Sequence, residues 1–360
     1  MRFVPAAVCI CGLFLAFTAL SQQQTAPPKQ EPKQQEPNVT FSVQHNEVIL
    51  PVTVTDERGK FLSNLTAKDF RVLDEGRPQR ISFFSHAEKQ PIVVGFLIDQ
   101  SSAMRIHWKT YQEAILEMIW ALMPDDPKYE GYLVSYANEA QVVVNTTQDP
   151  DKLAEAVRKM KPGGGAALND AIYRACTDRS LVKGEPYEPR RVIVIIGDGH
   201  DTASKKSLEE VLELAQRNFV TIYAVSTQSF GFDNPDNATL EKLVFDTGGK
   251  VEYPLNGLYK DVSGYLSNPS DDGNYALTVG TGGYAGEISS GIIKAVGGIA
   301  GEIQTQYILR YVPDIDAEAR PRTFRKIKVD IPSLPSVRLH YRPGYYPYPV
   351  NGAQPAPGQN

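Results

Sequence analysis

Three runs of mostly apolar residues constrain the fold of this chain more than any other feature of its sequence. They are Val93–Ile98, Val192–Ile196 and Val220–Val225. A strand that lacks polar alternation is typical of a parallel sheet covered by helices on both faces. Between the runs, apolar residues recur at helical spacing, as in Tyr111–Leu122. This alternation predicts an α/β fold with a doubly wound, mostly parallel sheet over residues 89–303.

Short predicted strands flank this domain on both sides, in residues 39–88 and 304–346. Neither group is large enough to form a two-layer core alone. We therefore predict that both ends of the chain build one small β-sandwich, into which the α/β domain is inserted. Within the α/β block, Asp271–Ser290 is rich in Gly, Ser, Tyr and Asp, which predicts a long surface loop before a helix over Ile292–Ile303.

The first residues have the pattern of a secretory signal peptide. Arg2 precedes an apolar stretch, and small residues end at Ser21, so we predict a signal peptide over residues 1–21. The protein is then expected outside the cytoplasm, in the periplasm, in the cell envelope or secreted, with membrane anchoring only if this segment stays uncleaved. Gln- and Pro-rich residues 22–38 predict a linker, and residues 347–360 predict a disordered tail.

Composition narrows the class of partner. The net charge is −5, and no basic surface of the kind that binds nucleic acid is indicated. The most basic stretch, from Arg320 to Lys328, is interpreted as a solvated face. Cys176 remains alone after signal cleavage, and its helical spacing from Ile172 predicts a buried apolar side chain rather than a reactive thiol.

The candidate site lies where two buried strands end. Asp99 and Ser101 follow the first strand, and Asp198 follows the second. Ligands of open α/β sheets bind outside the carboxyl ends of the strands. Carboxylates and hydroxyls there are the oxygen ligands that Mg²⁺ or Mn²⁺ prefers. A glycine-rich loop, Gly163–Gly165, allows a third segment to approach closely.

These residues resemble the von Willebrand factor A domain, in the form found in exported acidobacterial proteins. The Asp-x-Ser stretch of that family's metal-ion-dependent adhesion site matches at Asp99 and Ser101, its Gly-Gly-Thr-Ala-Leu-type loop at Gly164–Leu168, and its Thr-Asp-Gly-type turn at Gly197–Gly199. The likeness extends over most of Val39–Tyr346. It implies an open α/β fold and binding of a protein partner through a cation.

Two hydroxyl ligands of the family's site are missing here. Ala103 and Ala166 stand where the family has hydroxyl side chains, which leaves Asp99, Ser101 and Asp198. A degenerate site of this kind would hold Mg²⁺ or Mn²⁺ weakly, with water or a partner's carboxylate completing the shell. The alternative is that Asp99 only caps the following backbone. Neighbouring Thr202 and Asp201 are further candidate ligands, and Asp170 is interpreted as a cap or loop anchor.

Three functions remain open at this point. The first is an adhesion-type binding protein that recognises a protein partner through the Asp99 loops, with Gln100, Ser102, Gly165 and His200 as contact residues. The second is a structural scaffold for envelope assembly without metal. The third is a hydrolase using Ser101 or Ser102 with His107 or His200 and Asp198; the Gly-x-Ser-x-Gly pattern is absent, and we do not expect an enzyme.

Overall fold

The computed structural model describes residues 47–105, 108–182, 189–227, 235–254, 282–314 and 323–347. The predicted signal peptide and linker, nearly all of the predicted tail, and His107 lie outside these residues. Within the described residues, no helix is both long enough and apolar enough to cross a membrane.

Strands and helices follow the chain in three blocks. The first block holds β1 (Val48–Thr55), β2 (Arg71–Asp74), β3 (Arg77–Gln79) and β4 (Ile81–His86). The second holds β5 (Ile92–Asp99), α1 (Trp108–Leu122), β6 (Tyr129–Tyr136), β7 (Ala140–Thr147), α2 (Pro150–Lys159), α3 (Leu168–Thr177), β8 (Arg190–Gly197), α4 (Leu208–Arg217), β9 (Thr221–Ser226), α5 (Pro235–Phe245), β10 (Val251–Glu252) and α6 (Gly282–Thr305). The third holds β11 (Tyr307–Tyr311), β12 (Arg325–Asp330), β13 (Arg338–Tyr341) and β14 (Gly344–Tyr345).

The middle block forms a six-stranded sheet in the order β10-β9-β8-β5-β6-β7. Its strands are parallel except for β7, which pairs antiparallel with β6. Apolar residues of α1, α2 and α6 pack on one face, and those of α3, α4 and α5 pack on the other. Every residue of β5 and β8 is buried, as their apolar runs require. The predicted doubly wound fold is confirmed.

The predicted loop over Asp271–Ser290 is wrong in its last part. Helix α6 begins at Gly282, and residues 271–281 lie outside the described residues. The helix continues through a glycine-rich sequence because Ile292, Val296 and Ile299 occupy one face and pack into the core beside α1. Tertiary packing of this face outweighs the low helix propensity of glycine.

The first and third blocks form two antiparallel four-stranded sheets, in the orders β13-β1-β11-β4 and β14-β12-β2-β3. Each sheet combines strands from both ends of the chain; β1, for example, pairs with β11 and β13. Apolar residues of both sheets share one core, which includes Val52, Val72 and Val329. The predicted sandwich is therefore present, and along the sequence the α/β block is inserted between its N-terminal and C-terminal strands.

Polar contacts join the sandwich to the α/β block. Arg342, after β13, is 1% exposed, and its Nη2 donates to the carbonyl of Phe219 at 3.0 Å. Its guanidinium also lies over the Phe219 ring, 5.3 Å from the centroid. Burial lowers the pKa of Arg342 to about 10. The side chain thus fixes the last strands against the segment between α4 and β9.

Candidate functional site

The two aspartates of the predicted site stand at neighbouring strand ends. Strands β5 and β8 are parallel neighbours, with Ile98 opposite Ile196. Asp99 is the last residue of β5, and Asp198 follows the end of β8 directly. The chain leaves β5 toward β6 on one side and returns as β8 on the other. This is the switch point of the sheet, where open α/β folds bind ligands.

Asp99 is completely buried. Its Oδ1 accepts a hydrogen bond from the Ser101 N–H at 2.7 Å, while its Oδ2 accepts none from the described residues. Burial raises the pKa of Asp99 to about 6, and the charge on Asp198 adds to the rise, whereas Ser101 and the nearby main-chain N–H of Asp198 lower the pKa. An unpaired buried carboxylate oxygen is costly, so Oδ2 is a position where a cation or a proton is stabilising.

Gly197 leaves the space in which Asp99 lies. A Cβ at Gly197 would overlap the hydroxyl of Tyr136 and would stand 2.9 Å from Cβ of Asp99. Tyr136 is 1% exposed, and burial raises its pKa well above the ordinary value, with the charges of Asp99 and Asp198 adding to that shift. The glycine before Asp198 is thus required by close packing beneath the site.

The glycine-rich loop is bonded directly to the loop after β5. Gly164 has a φ of +97°, a conformation that favours glycine. The Ser102 N–H donates to the Gly164 carbonyl at 3.0 Å, and the Gly164 N–H donates to Ser102 Oγ at 3.1 Å. Gly163 N–H donates to the Gln100 carbonyl at 2.7 Å. Two predicted contact residues, Gln100 and Ser102, therefore also hold the loops together.

The loop after Asp198 is bonded to the same glycine-rich loop. The Ala166 N–H donates to Thr202 Oγ1 at 3.0 Å, and the Thr202 N–H donates to the Ala166 carbonyl at 2.8 Å. The Gly165 N–H donates to Oδ1 of Asn138, in the turn between β6 and β7, at 2.7 Å. No sequence pattern indicates Asn138, and the sequence predicts Thr202 only as a candidate cation ligand.

Asp201 and Asp170 anchor the loop after β8 on α3. Ala167 supplies no side-chain cap to that helix; Asp201 Oδ2 instead accepts the Asn169 N–H at 2.8 Å. In return, Asp170 Oδ1 accepts the N–H groups of Lys205 and Lys206 at 3.1 and 3.0 Å. The loop-anchor interpretation of Asp170 agrees with these bonds.

The remaining predicted residues lie around this framework. Ser101 is buried, whereas His200 is exposed and its N–H donates to Asp198 Oδ1 at 2.9 Å. Ala103 is exposed, but Ala166 is buried, and its methyl group belongs to the core on the α3 face. The structure thus brings Asp99, Ser101 and Asp198 to one edge of the sheet.

The donor set fits a divalent cation only in part. Asp99, Ser101 and Asp198 offer oxygens of the kind that Mg²⁺ binds, and Asp99 Oδ2 is buried without a partner among the described residues. Thr202 Oγ1 is engaged by a main-chain N–H group. No cluster of three or more His, Cys, Asp or Glu side chains suited to a metal occurs in the described part of the chain.

The edge continues into an open groove of about 580 Å³. Its walls are the turn between β6 and β7, the outer side of α3 and the loop before α4. Tyr173, 38% exposed, lies in the groove with Nζ of Lys206 4.5 Å from its ring centroid. Asn138 belongs to both the groove and the bonded loops, so the two surfaces are continuous.

One family model matches part of the chain. The profile of the von Willebrand factor type A domain matches residues 94–255. Among solved structures, BatB from Bacteroides thetaiotaomicron is 17% identical over 49% of this chain and 97% of that chain, with a TM-score of 0.38. The vWF domain of the type V pili tip protein Mfa5 from Porphyromonas gingivalis is 12% identical over 49% and 95%, with a TM-score of 0.40. Proximal thread matrix protein 1 from the mussel byssus, with a zinc-occupied MIDAS motif, is 17% identical over 47% and 43%, with a TM-score of 0.40. A search of curated proteins found no match.

Proposed function

We propose, from the match of residues 94–255 to the von Willebrand factor type A domain, that the protein is an exported, non-enzymatic recognition module. It binds a protein partner through the edge around Asp99, outside the cytoplasm. The predicted signal segment would direct export, and the linker at residues 22–38 would hold the recognition edge away from the envelope surface.

One observation carries this proposal: the loops of the edge are bonded into a single surface. Ser102 joins the loop after β5 to Gly164, and Thr202 joins the loop after β8 to Ala166. A surface whose loops are already fixed loses little conformational entropy when a partner binds. The adjoining groove beside Tyr173 extends this surface and offers an exposed aromatic ring, a side chain enriched at protein interfaces.

A cation has a minor part in this proposal. Asp99, Ser101 and Asp198 would hold Mg²⁺ or Mn²⁺ weakly, with water or a partner's carboxylate in the positions that Ala103 and Ala166 leave without a hydroxyl. The cation would supply a positive charge that a partner's carboxylate can meet. We expect millimolar or weaker binding in calorimetric titration, abolished by Asp99→Ala. Micromolar binding would contradict the minor role.

Site-specific photocross-linking in the producing cells tests the recognition edge. A photoreactive amino acid replaces Gln100 or His200 in separate variants, and it replaces Val312 as the control. Val312 is 52% exposed and follows β11 in the sandwich. We expect a discrete protein adduct from both edge positions and none from the control. Absence of edge adducts would contradict the proposal.

The same experiment separates the scaffold alternative, because a sandwich that mediates envelope assembly would give adducts from Val312 alone. The hydrolase alternative requires turnover of an ester or peptide substrate that is lost in Ser101→Ala. We expect no such turnover from the purified chain, because Ser102 Oγ already accepts the Gly164 N–H and the Ser101 side chain is buried.

A further inference from the structure

We infer that Ser102 and Thr202 are positioning residues that hold the recognition edge in shape by direct hydrogen bonds, so that the edge needs no cation to be formed. Their hydroxyl groups connect the loop after β5, the glycine-rich loop and the loop after β8. A bound cation would otherwise have to hold these loops together. The relevance of this shape to a partner rests on the proposed function; the bracing itself does not.

The inference starts from two reciprocal pairs of hydrogen bonds. Ser102 donates its N–H to the Gly164 carbonyl and accepts the Gly164 N–H at Oγ. Thr202 does the same with Ala166, at 2.8 Å and 3.0 Å. Each pair joins segments far apart in sequence, by 62 and 36 positions respectively. Together they connect the loop after β5, the glycine-rich loop and the loop after β8.

The alanine at position 166 is consistent with this arrangement. Its methyl group is 3% exposed and packs in the core on the α3 face, which leaves only its main chain at the edge. Thr202 Oγ1 accepts that main-chain N–H. The hydroxyl that position 166 lacks is therefore present on the opposite loop, where it bonds to the protein instead of to an ion.

Further bonds support the two braces without replacing them. Asn138 Oδ1 accepts the Gly165 N–H at 2.7 Å, which ties the glycine-rich loop to a fourth segment. Asp201 Oδ1 accepts the Ser204 N–H at 3.1 Å, which fixes the backbone that presents Thr202. The loss of either hydroxyl should therefore loosen the glycine-rich loop while the sheet beneath it stays folded.

Hydrogen exchange of the full chain, with EDTA and with millimolar Mg²⁺, tests the inference. In the unmodified protein we expect the amides of residues 163–166 to exchange at the same rate in both buffers. Ser102→Ala and Thr202→Val should each raise exchange of this loop about fivefold, because each leaves one N–H without its acceptor. Thr202→Ser, which keeps the hydroxyl, should restore protection.

Thr177→Val is the matched control, because the Thr177 hydroxyl donates only within its own helix, to the Tyr173 carbonyl at 2.8 Å. We expect it to leave residues 163–166 unchanged. Exchange in β5, the fully buried central strand of the sheet beneath these loops, reports the stability of the α/β domain and should not change in any variant. The inference would be overturned if residues 163–166 of the unmodified protein exchanged fast in EDTA and slowly in Mg²⁺. It would also be overturned if Thr202→Val left the exchange of this loop unchanged. A failure of the cross-linking experiment would leave these rates unaffected, so the two proposals fail separately.

Discussion

Thr202 and Ala166 bond to each other in both directions: the Ala166 N–H donates to Thr202 Oγ1, and the Thr202 N–H donates to the Ala166 carbonyl. This pair closes the recognition edge at the place where the family's adhesion site has a hydroxyl ligand. The loops around Asp99 are thereby bonded to one another.

The first prediction concerns the charge of Asp99. Its pKa rises from 3.8 in the unfolded chain to about 6 in the folded protein, so the folded state binds more protons between these values. Without divalent cations, stability should fall as pH rises from about 4 to 6 and stay at the lower level above it. Asp99→Asn keeps an acceptor for the Ser101 N–H and removes the buried charge, so we expect it to stabilise the protein at pH 7.5 by up to about 3 kcal/mol.

Urea denaturation at pH 4, 5, 6 and 7.5 in EDTA measures this effect. The difference between Asp99→Asn and the unmodified protein should grow with pH and level off above pH 6. A difference that is constant over this range would show that Asp99 has no raised pKa. Asp170→Ala is a control at the same edge, and its loss of the two main-chain bonds to Oδ1 should destabilise the protein at pH 7.5.

The second prediction concerns the close packing at Gly197. Gly197→Ala places a methyl group against Tyr136 and Asp99, so it should cost about 1–3 kcal/mol of unfolding free energy. Gly297→Ala is the matched control, because a Cβ there meets no atom within 4 Å and the residue lies inside α6. The control should be neutral or stabilise by up to about 1 kcal/mol. Equal effects in thermal denaturation would refute this account of the packing.

The third prediction separates the two missing hydroxyls. Ala103 is exposed, so Ala103→Ser should change stability by less than about 0.5 kcal/mol and should strengthen Mg²⁺ binding measured by calorimetry. Ala166 is buried in the core, so Ala166→Thr should cost about 1–3 kcal/mol. A fully stable Ala166→Thr protein would show that the loop has room for the family's threonine.

The fourth prediction concerns the joining of the two chain ends. Asp74 is completely buried and accepts hydrogen bonds from the hydroxyls of Tyr311 and Tyr345 at 3.0 and 2.9 Å. Nη2 of Arg325 also lies 2.7 Å from Asp74 Oδ1. Asp74→Asn should therefore cost about 3 kcal/mol or more.

Asp330→Asn is its matched control, because Asp330 pairs with Arg71, whose side chain is 56% exposed. It should cost less than about 1 kcal/mol. Chemical denaturation of both variants measures the contrast. If Asp330→Asn were more destabilising than Asp74→Asn, the buried cluster around Asp74 would not be the main contact that joins the two ends of the chain.

The central sheet was predictable because its strands have a strong local signature. In β5 and β8 every position is buried, so the apolar runs predict both the element and its place in the middle of a parallel sheet. Strands β3 and β14 are three and two residues long and carry no such pattern. The start of α6 was missed because glycine weakens the helical signal there, whereas packing of Ile292 and Ile299 supports the helix.

The candidate site was predictable in part. Asp99 and Asp198 follow from the ends of buried strands, which sequence periodicity locates. Thr202 and Asn138 accept hydrogen bonds from residues that are 36 and 27 positions away in the sequence. No local sequence pattern indicates which main-chain N–H such a side chain will meet. The alanines at positions 103 and 166 are visible in the sequence, but the bonds that Ser102 and Thr202 make between the loops are not.

The most direct test is the affinity of the full chain for the partner recovered by cross-linking at Gln100, measured in EDTA and again in millimolar Mg²⁺. Because the edge is formed by its own hydrogen bonds, we predict dissociation constants that agree within about threefold, a difference below about 1 kcal/mol. Thr202→Val should weaken binding in both buffers, and Thr202→Ser should not. Binding that is lost in EDTA and restored by Mg²⁺ would contradict the account.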